Sequence, residues 1–316
     1  MKAIVTGASG FIGSKIVDEL IREGFKVAAL GRRSFNFLPS FRKNLLKDSI
    51  YIKSNLYDID KTIEDLKLNG FSDSNFFFHF AWGGETQLSD LDVEAQNKNI
   101  ETTINTYELA KKLNCKRYIF CGTMEESFAE LYTQLDYHTE KKFNRHVVYA
   151  LAKISARESL KLIYDKEGPE ILFGTNSHVM GLCDDKNSFL QVVLFNILND
   201  KNINMTSGEQ NFDVINVIDC AKAYISIAKY GISGFSYWVG SGYPKKLKEY
   251  VEAIRKIFHK STSQVEYNFL TYNDVFLDKK VFSIDSLKKD TGFSPKISFD
   301  DSVKELATFL KNRKLI

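Results

Sequence analysis

The chain of 316 residues has few cysteines, few histidines, no long apolar run and little net charge. Its four cysteines lack CxxC spacing and its five histidines lack metal-ligand spacing, so we predict no disulfide, no metal site and a reduced, cytoplasmic protein. No apolar run reaches the length of a membrane span, and the N-terminus does not resemble a signal peptide. The formal net charge of +3 gives no indication of binding to nucleic acid or to an anionic membrane.

The chain does contain many apolar runs of strand length, and over its first half these alternate with helical patterns. Continuous apolar strands separated by helices indicate a parallel sheet that is covered on both faces. We therefore predict an α/β protein with a Rossmann-type, doubly wound parallel sheet. The predicted strands span residues 2–6, 26–30, 49–53, 75–80, 117–121 and 170–173, and the predicted helices span 11–23, 60–68, 94–113 and 148–167.

Beyond residue 173 the pattern is looser, and 174–210 indicates a loop with one helix at 189–198. Ser298 and Asp301 resemble the two ends of a capping box before the last helix. The other elements predicted here are helices at 219–230, 247–258 and 302–309 and strands at 213–217 and 236–239. The expected domains are a dinucleotide-binding domain of residues 1–175, to which 213–240 return, and a smaller C-terminal substrate lobe of 176–212 and 241–316.

A glycine-rich loop at residues 7–13 follows the first predicted strand and opens the first predicted helix. This is the context that the dinucleotide-binding fingerprint requires. The glycines allow a tight turn close to a pyrophosphate, and the helix N-terminus supplies N–H groups and a positive dipole end. The alternative is a glycine-rich turn without a ligand. The predicted cofactor contacts in this loop are Gly7, Ser9, Gly10, Phe11, Ile12 and Gly13.

The end of the second predicted strand indicates which dinucleotide binds. NAD-preferring proteins place an acid there for the ribose hydroxyls. Here the residues are Arg32 and Arg33, and a guanidinium suits the 2′-phosphate of NADP(H), so we predict NADP(H). The alternative is that both arginines are surface charges. Asn55 and Asp58 follow the third strand, where an adenine contact is expected, although Asp58 could equally cap a helix.

Tyr149 and Lys153 are four residues apart, roughly 140 residues after the glycine loop. On a helix these positions share a face, so the ammonium is expected beside the phenol. A positive charge there would lower the phenol's pKa and let it exchange protons with a substrate oxygen. Together with a hydride-carrying cofactor, this pair indicates interconversion of an alcohol and a ketone. The alternative is a solvated helix face.

These motifs resemble those of extended short-chain dehydrogenases/reductases of the nucleotide-sugar epimerase, dehydratase and reductase type. The resemblance covers essentially the whole chain. It implies that Thr123 hydrogen-bonds the substrate oxygen beside Tyr149, that Lys153 also holds the nicotinamide ribose, and that Ala81 and Trp82 line the cofactor wall. The segments that carry the resemblance are 6–13, 79–82, 122–123, 149–153, 213–219, 239–242 and 292–295.

The residues after Thr123 indicate which of the family's reactions the chain catalyses. The resemblance implies an acid at position 124 in a dehydratase, but Met124 cannot protonate a leaving hydroxide. The expected function is therefore NADPH-dependent reduction of a 4-keto-deoxysugar nucleotide. The alternative is a nucleotide-sugar epimerase (or dehydratase) with tightly bound cofactor, either a 4-epimerase or an epimerase that removes the C5 proton with Glu125 as the base. A dinucleotide-binding protein with a decayed substrate site is a third possibility. The predicted substrate contacts are Glu125, Asn176 and Gln210.

Two positions depart from the family's substrate-binding pattern. Phe212 replaces an arginine that binds the diphosphate in many members, and Asn216 replaces a histidine. A nucleotide sugar would then need other donors, and the candidates are Lys186, Lys201 and Lys245. The resemblance also implies a homodimer formed through the helices predicted at 94–113 and 148–167.

Overall fold

Parallel strands form the centre of the computed structural model, which describes residues 1–84, 92–135, 146–164, 166–184, 188–272 and 274–313. The strands are β1 (Lys2–Thr6), β2 (Lys26–Gly31), β3 (Ile50–Lys53), β4 (Phe76–His79), β5 (Arg117–Thr123), β6 (Glu170–Asn176), β7 (His178–Met180), β8 (Ile203–Asn204), β9 (Asn211–Phe212), β10 (Val214–Asn216), β11 (Ser236–Val239), β12 (Lys245–Lys246) and β13 (Val265–Glu266). Within the described ranges, seven of them form one sheet in the order β11-β6-β5-β4-β1-β2-β3, and each of its pairings is parallel.

Helices cover both faces of this sheet, and short 3-10 helices occupy Phe35–Phe37 and Lys279–Phe282. The α-helices are α1 (Phe11–Arg22), α2 (Ser40–Leu46), α3 (Ile59–Leu68), α4 (Val93–Lys112), α5 (Glu125–Tyr132), α6 (Val147–Ile163), α7 (Phe189–Leu198), α8 (Val217–Tyr230), α9 (Leu247–Ile257), α10 (Asp285–Thr291) and α11 (Phe299–Asn312). The Rossmann-type, doubly wound parallel sheet expected from the sequence is confirmed.

The central strands are apolar throughout because each of their faces packs on a separate core. Along β4, Phe76 and Phe78 point to the face covered by α1 and α8, while Phe77 points to the face covered by α3, α4 and α6. Both cores consist of fully buried aliphatic and aromatic side chains. The carboxyl ends of β1, β4 and β5 consequently meet at one edge of the sheet.

A third core lies among α7, α9 and α11 and includes Leu194, Val251 and Leu306. The short strand pairs β7–β10, β9–β12 and β8–β13 extend this region. We propose that these elements form the substrate lobe, in line with the domain division expected from the sequence.

The predicted strands and long helices agree with the structure to within a few residues, but several short elements were not predicted. These are α2, α5, α10 and the short strands β7, β8, β9, β12 and β13. Val217 was expected to end a strand and instead begins α8, because the Asn216 side chain caps that helix by accepting from the N–H of Ile218 at 2.8 Å. Ser298 caps α11 as expected, accepting from the N–H of Asp301 at 3.1 Å.

No helix within the described ranges is long and apolar enough to cross a bilayer. In the same ranges, no group of three acidic, histidine or cysteine side chains is arranged to hold a metal ion. The four cysteines are buried and are not joined to one another by disulfides.

Candidate active site

The glycine loop between β1 and α1 has a shape that only glycine permits at two positions. Gly7 has a φ of +65°, and a Cβ there would lie 2.6 Å from the backbone of Phe80. A Cβ at Gly13 would lie 2.3 Å from the carbonyl oxygen of Gly7. The loop therefore packs tightly against the end of β4 and against itself, which leaves its backbone open to the close approach that a pyrophosphate needs.

The first turn of α1 offers backbone donors to an anion. Gly10 is the N-cap residue of α1 and has no side chain that could accept from the first turn. Its own N–H donates to the carbonyl of Gly7. Ser14 N–H bonds back to the carbonyl of Gly10, so the N–H groups from Phe11 to Gly13 have no partner four residues earlier. These donors and the positive end of the helix dipole fit the pyrophosphate of a dinucleotide.

The end of β2 has no room for an acidic side chain. A Cβ at Gly31 would lie 2.2 Å from the Tyr51 hydroxyl and 3.2 Å from Ser9 Oγ. The Tyr51 hydroxyl donates to the carbonyl of Arg33 at 2.7 Å and so fixes the backbone that carries both arginines. The side chains of Arg32 and Arg33 are exposed, and neither is ion-paired with a residue that the structure describes. Both guanidinium groups are thus available to a phosphate.

The two residues predicted beside the adenine lie in the exposed turn between β3 and α3. Asp58 is the N-cap of α3 and accepts from the N–H of Lys61 at 3.4 Å. Asn55 Oδ1 accepts from the N–H of Tyr57 at 3.3 Å. Asp58 therefore caps α3, which was the alternative role expected for it. The cofactor contact of Asn55 stays a prediction.

The wall formed by Ala81 and Trp82 is held at the end of β4 by polar contacts with β1. Thr6 Oγ1 accepts from the N–H groups of Phe80 and Ala81, both at 3.2 Å, and lies 2.9 Å from His79 Nδ1. Burial lowers the pKa of His79 to about 3, so the ring is neutral at physiological pH. His79 therefore connects β4 with β1 and α4 as a neutral ring, through Thr6 and Thr103.

The three predicted catalytic residues come together at the end of β5. Thr123 is the last residue of that strand, and Tyr149 and Lys153 lie on α6. The Lys153 ammonium donates to the carbonyl of Cys121 at 2.8 Å and lies 6.0 Å from the centre of the Tyr149 ring. The Thr123 hydroxyl is close enough to the phenol to lower its pKa. A hydroxyl, a phenol and an ammonium thus converge beside the cofactor loop.

The electrostatics of the phenol differ from the expectation. Burial is the main cause that raises the pKa of Tyr149 above its ordinary value, and Cys121, Glu125 and Glu126 raise it further. The net shift of the Tyr149 pKa is therefore opposite to the expected one, and burial also lowers the pKa of Lys153 itself to about 8. The phenol consequently stays protonated at neutral pH, which is the form that can donate a proton.

A buried ion pair that the sequence analysis missed holds Thr123 in place. Glu126 Oε1 accepts from the N–H of Thr123 at 2.8 Å, and Glu126 Oε2 lies 2.6 Å from Arg157 Nη1. A Cβ at Gly122 would lie 2.6 Å from Glu126 Oε1, so glycine makes room for the carboxylate. The spacing of three residues from Thr123 to Glu126, which is typical of capping at a helix start, is the signal that could have found it.

Glu125 is buried beside the same strand end, and its contact with substrate stays a prediction. Its Oε2 lies 2.7 Å from Nδ1 of His146, which directly precedes α6. Its N–H donates to Thr123 Oγ1 at 3.4 Å. A carboxylate and an imidazole therefore lie next to the proposed carbonyl-binding position.

The other two predicted substrate contacts, Asn176 and Gln210, differ in whether their side-chain polar atoms already form hydrogen bonds within the protein. Asn176 ends β6, but its Nδ2 donates to Cys121 Sγ at 3.2 Å and its Oδ1 accepts from Cys220 Sγ at 3.7 Å. Gln210 has a buried Oε1 with no hydrogen-bond partner among the residues that the structure covers. Gln210 is therefore the stronger candidate of the two.

Phe212, which stands at the expected arginine position, packs on other rings. Its ring centre lies 5.3 Å from that of His178, and its register partner in the β9–β12 pair is Lys245. Lys201 lies beyond the C-terminal end of α7, and Lys186 lies outside the described residues. Of the three lysines suggested as donors, Lys245 is thus the one placed beside Phe212.

Comparison with known proteins agrees with the fold. A model of the NAD dependent epimerase/dehydratase family matches residues 3–240. The chain is 25% identical over 309 residues to a CDP-abequose synthase of Salmonella muenchen, covering 96% of each chain. It is 25% identical over 328 residues to a putative UDP-glucose 4-epimerase of Methanocaldococcus jannaschii, covering 98% of each. A solved UDP-N-acetylglucosamine 4-epimerase of Methanobrevibacter ruminantium has a TM-score of 0.80 at 24% identity, covering 99% of this chain and 98% of that one.

Proposed function

Because the chain belongs to the NAD dependent epimerase/dehydratase family, we propose that it is an NADPH-dependent reductase of a 4-keto-deoxysugar nucleotide. The observation that carries this proposal is the convergence of Thr123, Tyr149 and Lys153 at the sheet edge where the glycine loop lies. The similarity to a CDP-abequose synthase supports a nucleotide-linked deoxysugar as the substrate.

The proposed chemistry requires a proton for the carbonyl oxygen while the carbonyl carbon is reduced. When bound, a reduced nicotinamide cofactor supplies the hydride. The Tyr149 hydroxyl donates the proton, and its raised pKa keeps it protonated beforehand. Thr123 donates a hydrogen bond to the same oxygen as negative charge develops there. The Lys153 ammonium stabilises the phenolate that remains, and the resemblance assigns it the nicotinamide ribose as well.

The end of β2 supports NADPH over NADH. The acid that would bind the ribose hydroxyls of NADH has no room at Gly31, and Arg32 and Arg33 offer bidentate donors to a 2′-phosphate. The double variant Arg32→Ala/Arg33→Ala is expected to raise the KM for NADPH by roughly 10- to 100-fold and to leave that for NADH unchanged. Arg255→Ala, at a half-buried arginine on α9 far along the chain from the glycine loop, is the control. Equal effects on the two cofactors would contradict the assignment.

An epimerase with tightly bound cofactor is the second candidate, and the contact between Glu125 and His146 favours it. A buried carboxylate 2.7 Å from an imidazole can remove a proton from a carbon next to a carbonyl. The similarity to a putative UDP-glucose 4-epimerase supports the other form of this candidate, in which C4 exchanges a hydride with the bound cofactor and no carbon-bound proton is removed.

Cofactor consumption separates the two candidates. Purified protein would be mixed with NADPH or NADH and a panel of 4-keto-6-deoxysugar nucleotides, and absorbance at the nicotinamide band would be followed. The reductase predicts stoichiometric loss of NADPH and little loss of NADH. An epimerase predicts no net loss of cofactor and a changed configuration, with uptake of deuterium from D2O where Glu125 removes a carbon-bound proton and none where C4 exchanges a hydride with the cofactor. No change of either kind with any sugar would contradict both and favour a protein that only binds the dinucleotide.

We also propose a homodimer through α4 and α6. These helices pack on one another along the same sheet face, and α6 exposes Leu151 and Leu162, the latter with 85% of its surface accessible. Leu162→Glu is expected to shift the protein toward the monomer, as measured by light scattering after size-exclusion chromatography. A wild-type protein that is monomeric at micromolar concentration would contradict the proposal.

A further inference from the structure

Lys153 is a buried cation without a carboxylate partner. The residue is 5% exposed, and in the described part of the chain no acidic side chain lies within ion-pair distance of its ammonium. The nearby carboxylate of Glu126 is occupied by Arg157 and by the N–H of Thr123. A buried charge that is left unpaired is costly, so other groups must stabilise it.

An aromatic face lies where a carboxylate would be expected. The Lys153 Nζ is 3.7 Å from the centre of the Trp82 ring, and the Phe120 ring is farther away at 5.1 Å. The only hydrogen bond of the ammonium within the described ranges runs to the carbonyl of Cys121. A cation over an indole face within about 6 Å is attracted by the ring quadrupole, and most strongly when both are desolvated.

The Trp82 ring is fixed in this orientation from two sides. Its Nε1 donates to Oε1 of Gln96 at 2.9 Å. The next residue, Gly83, is held by Asn99, which accepts from its N–H at 2.6 Å and donates to its carbonyl at 2.9 Å. Gln96 and Asn99 are buried on α4, so helix α4 fixes the loop that carries the indole. The ring also lies edge-on to Tyr149, with centres 6.0 Å apart, and to Phe120, with centres 6.5 Å apart.

We propose that Trp82 is a positioning residue whose indole face holds the Lys153 ammonium charged and in place beside Tyr149. An uncharged ring suits this task better than a carboxylate, because a negative charge there would oppose the ionisation of the phenol during proton transfer. The roles of Tyr149 and Lys153 rest on the proposed function, whereas the coupling between Trp82 and Lys153 can be measured without any substrate.

The titratable and charged groups around the ammonium are His79 on β4, Cys121 on β5, Glu125, Glu126 and Arg157 from α5 and α6, and Tyr149. Burial lowers the pKa of His79 to about 3 and raises that of Cys121, Glu126 and Tyr149. The pKa of Lys153 is lowered to about 8. A titration of the indole environment near pH 8 would therefore report Lys153.

Tryptophan fluorescence between pH 6.5 and 9.5 tests this coupling in the protein without substrate. The chain has two tryptophans, so Trp82→Phe and Trp238→Phe are matched variants. The wild type and Trp238→Phe are expected to show a transition with a midpoint near pH 8, which is absent in Trp82→Phe and in Lys153→Met. A transition that persists in Lys153→Met, or no transition in the wild type, would overturn the proposal.

The pH profile of turnover gives a second readout. Removing the ring lowers the pKa of Lys153 further, so the alkaline limb of kcat should move down by about half to one pH unit in Trp82→Leu. Trp82→Phe, which retains a weaker aromatic face, should recover part of this shift. A uniform loss of activity at every pH in both variants would indicate a purely structural role. If no substrate is turned over, the proposed function fails but the fluorescence result still stands.

Discussion

Lys153 and Arg157 lie one turn apart on α6, and the groups that surround their positive charges are different. Arg157 forms an ion pair at 2.6 Å with the buried carboxylate of Glu126, whereas the Lys153 ammonium, among the described residues, donates to a carbonyl oxygen and lies against aromatic rings. An ion pair connects two elements, and each of its charges is compensated by the other. A cation without a carboxylate partner can respond to a group whose charge changes. The difference indicates that Arg157 serves the fold and that Lys153 serves the chemistry.

Lys153→Met should produce the largest effect. The kcat for reduction is expected to fall by about 100-fold or more, because the phenolate loses its stabilising charge. The free energy of unfolding should stay the same or increase, since a buried unpaired cation is removed. Steady-state kinetics and denaturant unfolding measure the two quantities. A loss of several kcal/mol in the free energy of unfolding would mean that Lys153 stabilises the fold. The proposed difference between Lys153 and Arg157 would then not hold.

Arg157→Met should have the opposite profile. The free energy of unfolding is expected to fall by about 2–4 kcal/mol, because the buried carboxylate of Glu126 is left without its partner. The kcat should fall less than in Lys153→Met. The double variant Glu126→Gln/Arg157→Met removes both charges and should recover part of the stability. If Arg157→Met were as stable as the wild type but inactive, Arg157 would serve the chemistry and not the fold.

The pH dependence of stability sharpens the same comparison. The folded protein holds Lys153 with a pKa of about 8, against an ordinary 10.5, so between these values the unfolded chain binds more protons. The contribution of this residue to stability therefore rises with pH in that window. Relative to Lys153→Met, the wild type should gain about 2 kcal/mol between pH 7.5 and 10. A difference that does not change with pH would mean that burial does not depress this pKa.

The smallest effect is expected one turn further along the helix. Lys161 contacts Glu158 at 2.8 Å, and both side chains are more than 40% exposed. Lys161→Gln should change the free energy of unfolding by less than about 0.5 kcal/mol and leave kcat unaltered, since exposed ion pairs contribute little. It is also a control for loss of a positive charge from α6. A change comparable to that of Arg157→Met would undermine the distinction between buried and exposed cations.

The sheet and the cofactor loop could be predicted because they follow from short-range patterns. Each central strand is apolar on both faces, and the glycine positions follow from a turn that must fit against a neighbouring strand. The role of Tyr149 and Lys153 as neighbours follows from helical spacing alone.

The surroundings of these residues could not be predicted, because they depend on contacts between distant segments. Nothing in the local sequence indicates that Trp82 meets Lys153, which lies 71 positions later, or that Glu126 meets Arg157. The helix α5, which carries Glu126, spans only eight residues, so its amphipathic pattern is too short to recognise. The sign of the Tyr149 pKa shift was also wrong, since burial depends on the packed structure.

The most direct test of the central claim compares two phenols. Turnover of NADPH with the best 4-keto-6-deoxysugar nucleotide would be measured for the wild type, Tyr149→Phe and Tyr230→Phe, the last being a matched change at a tyrosine that is 61% exposed. Tyr149→Phe is expected to lower kcat by about 100-fold or more with folding intact, while Tyr230→Phe has no effect. Near-normal turnover by Tyr149→Phe would contradict the assignment of Tyr149 as the proton donor.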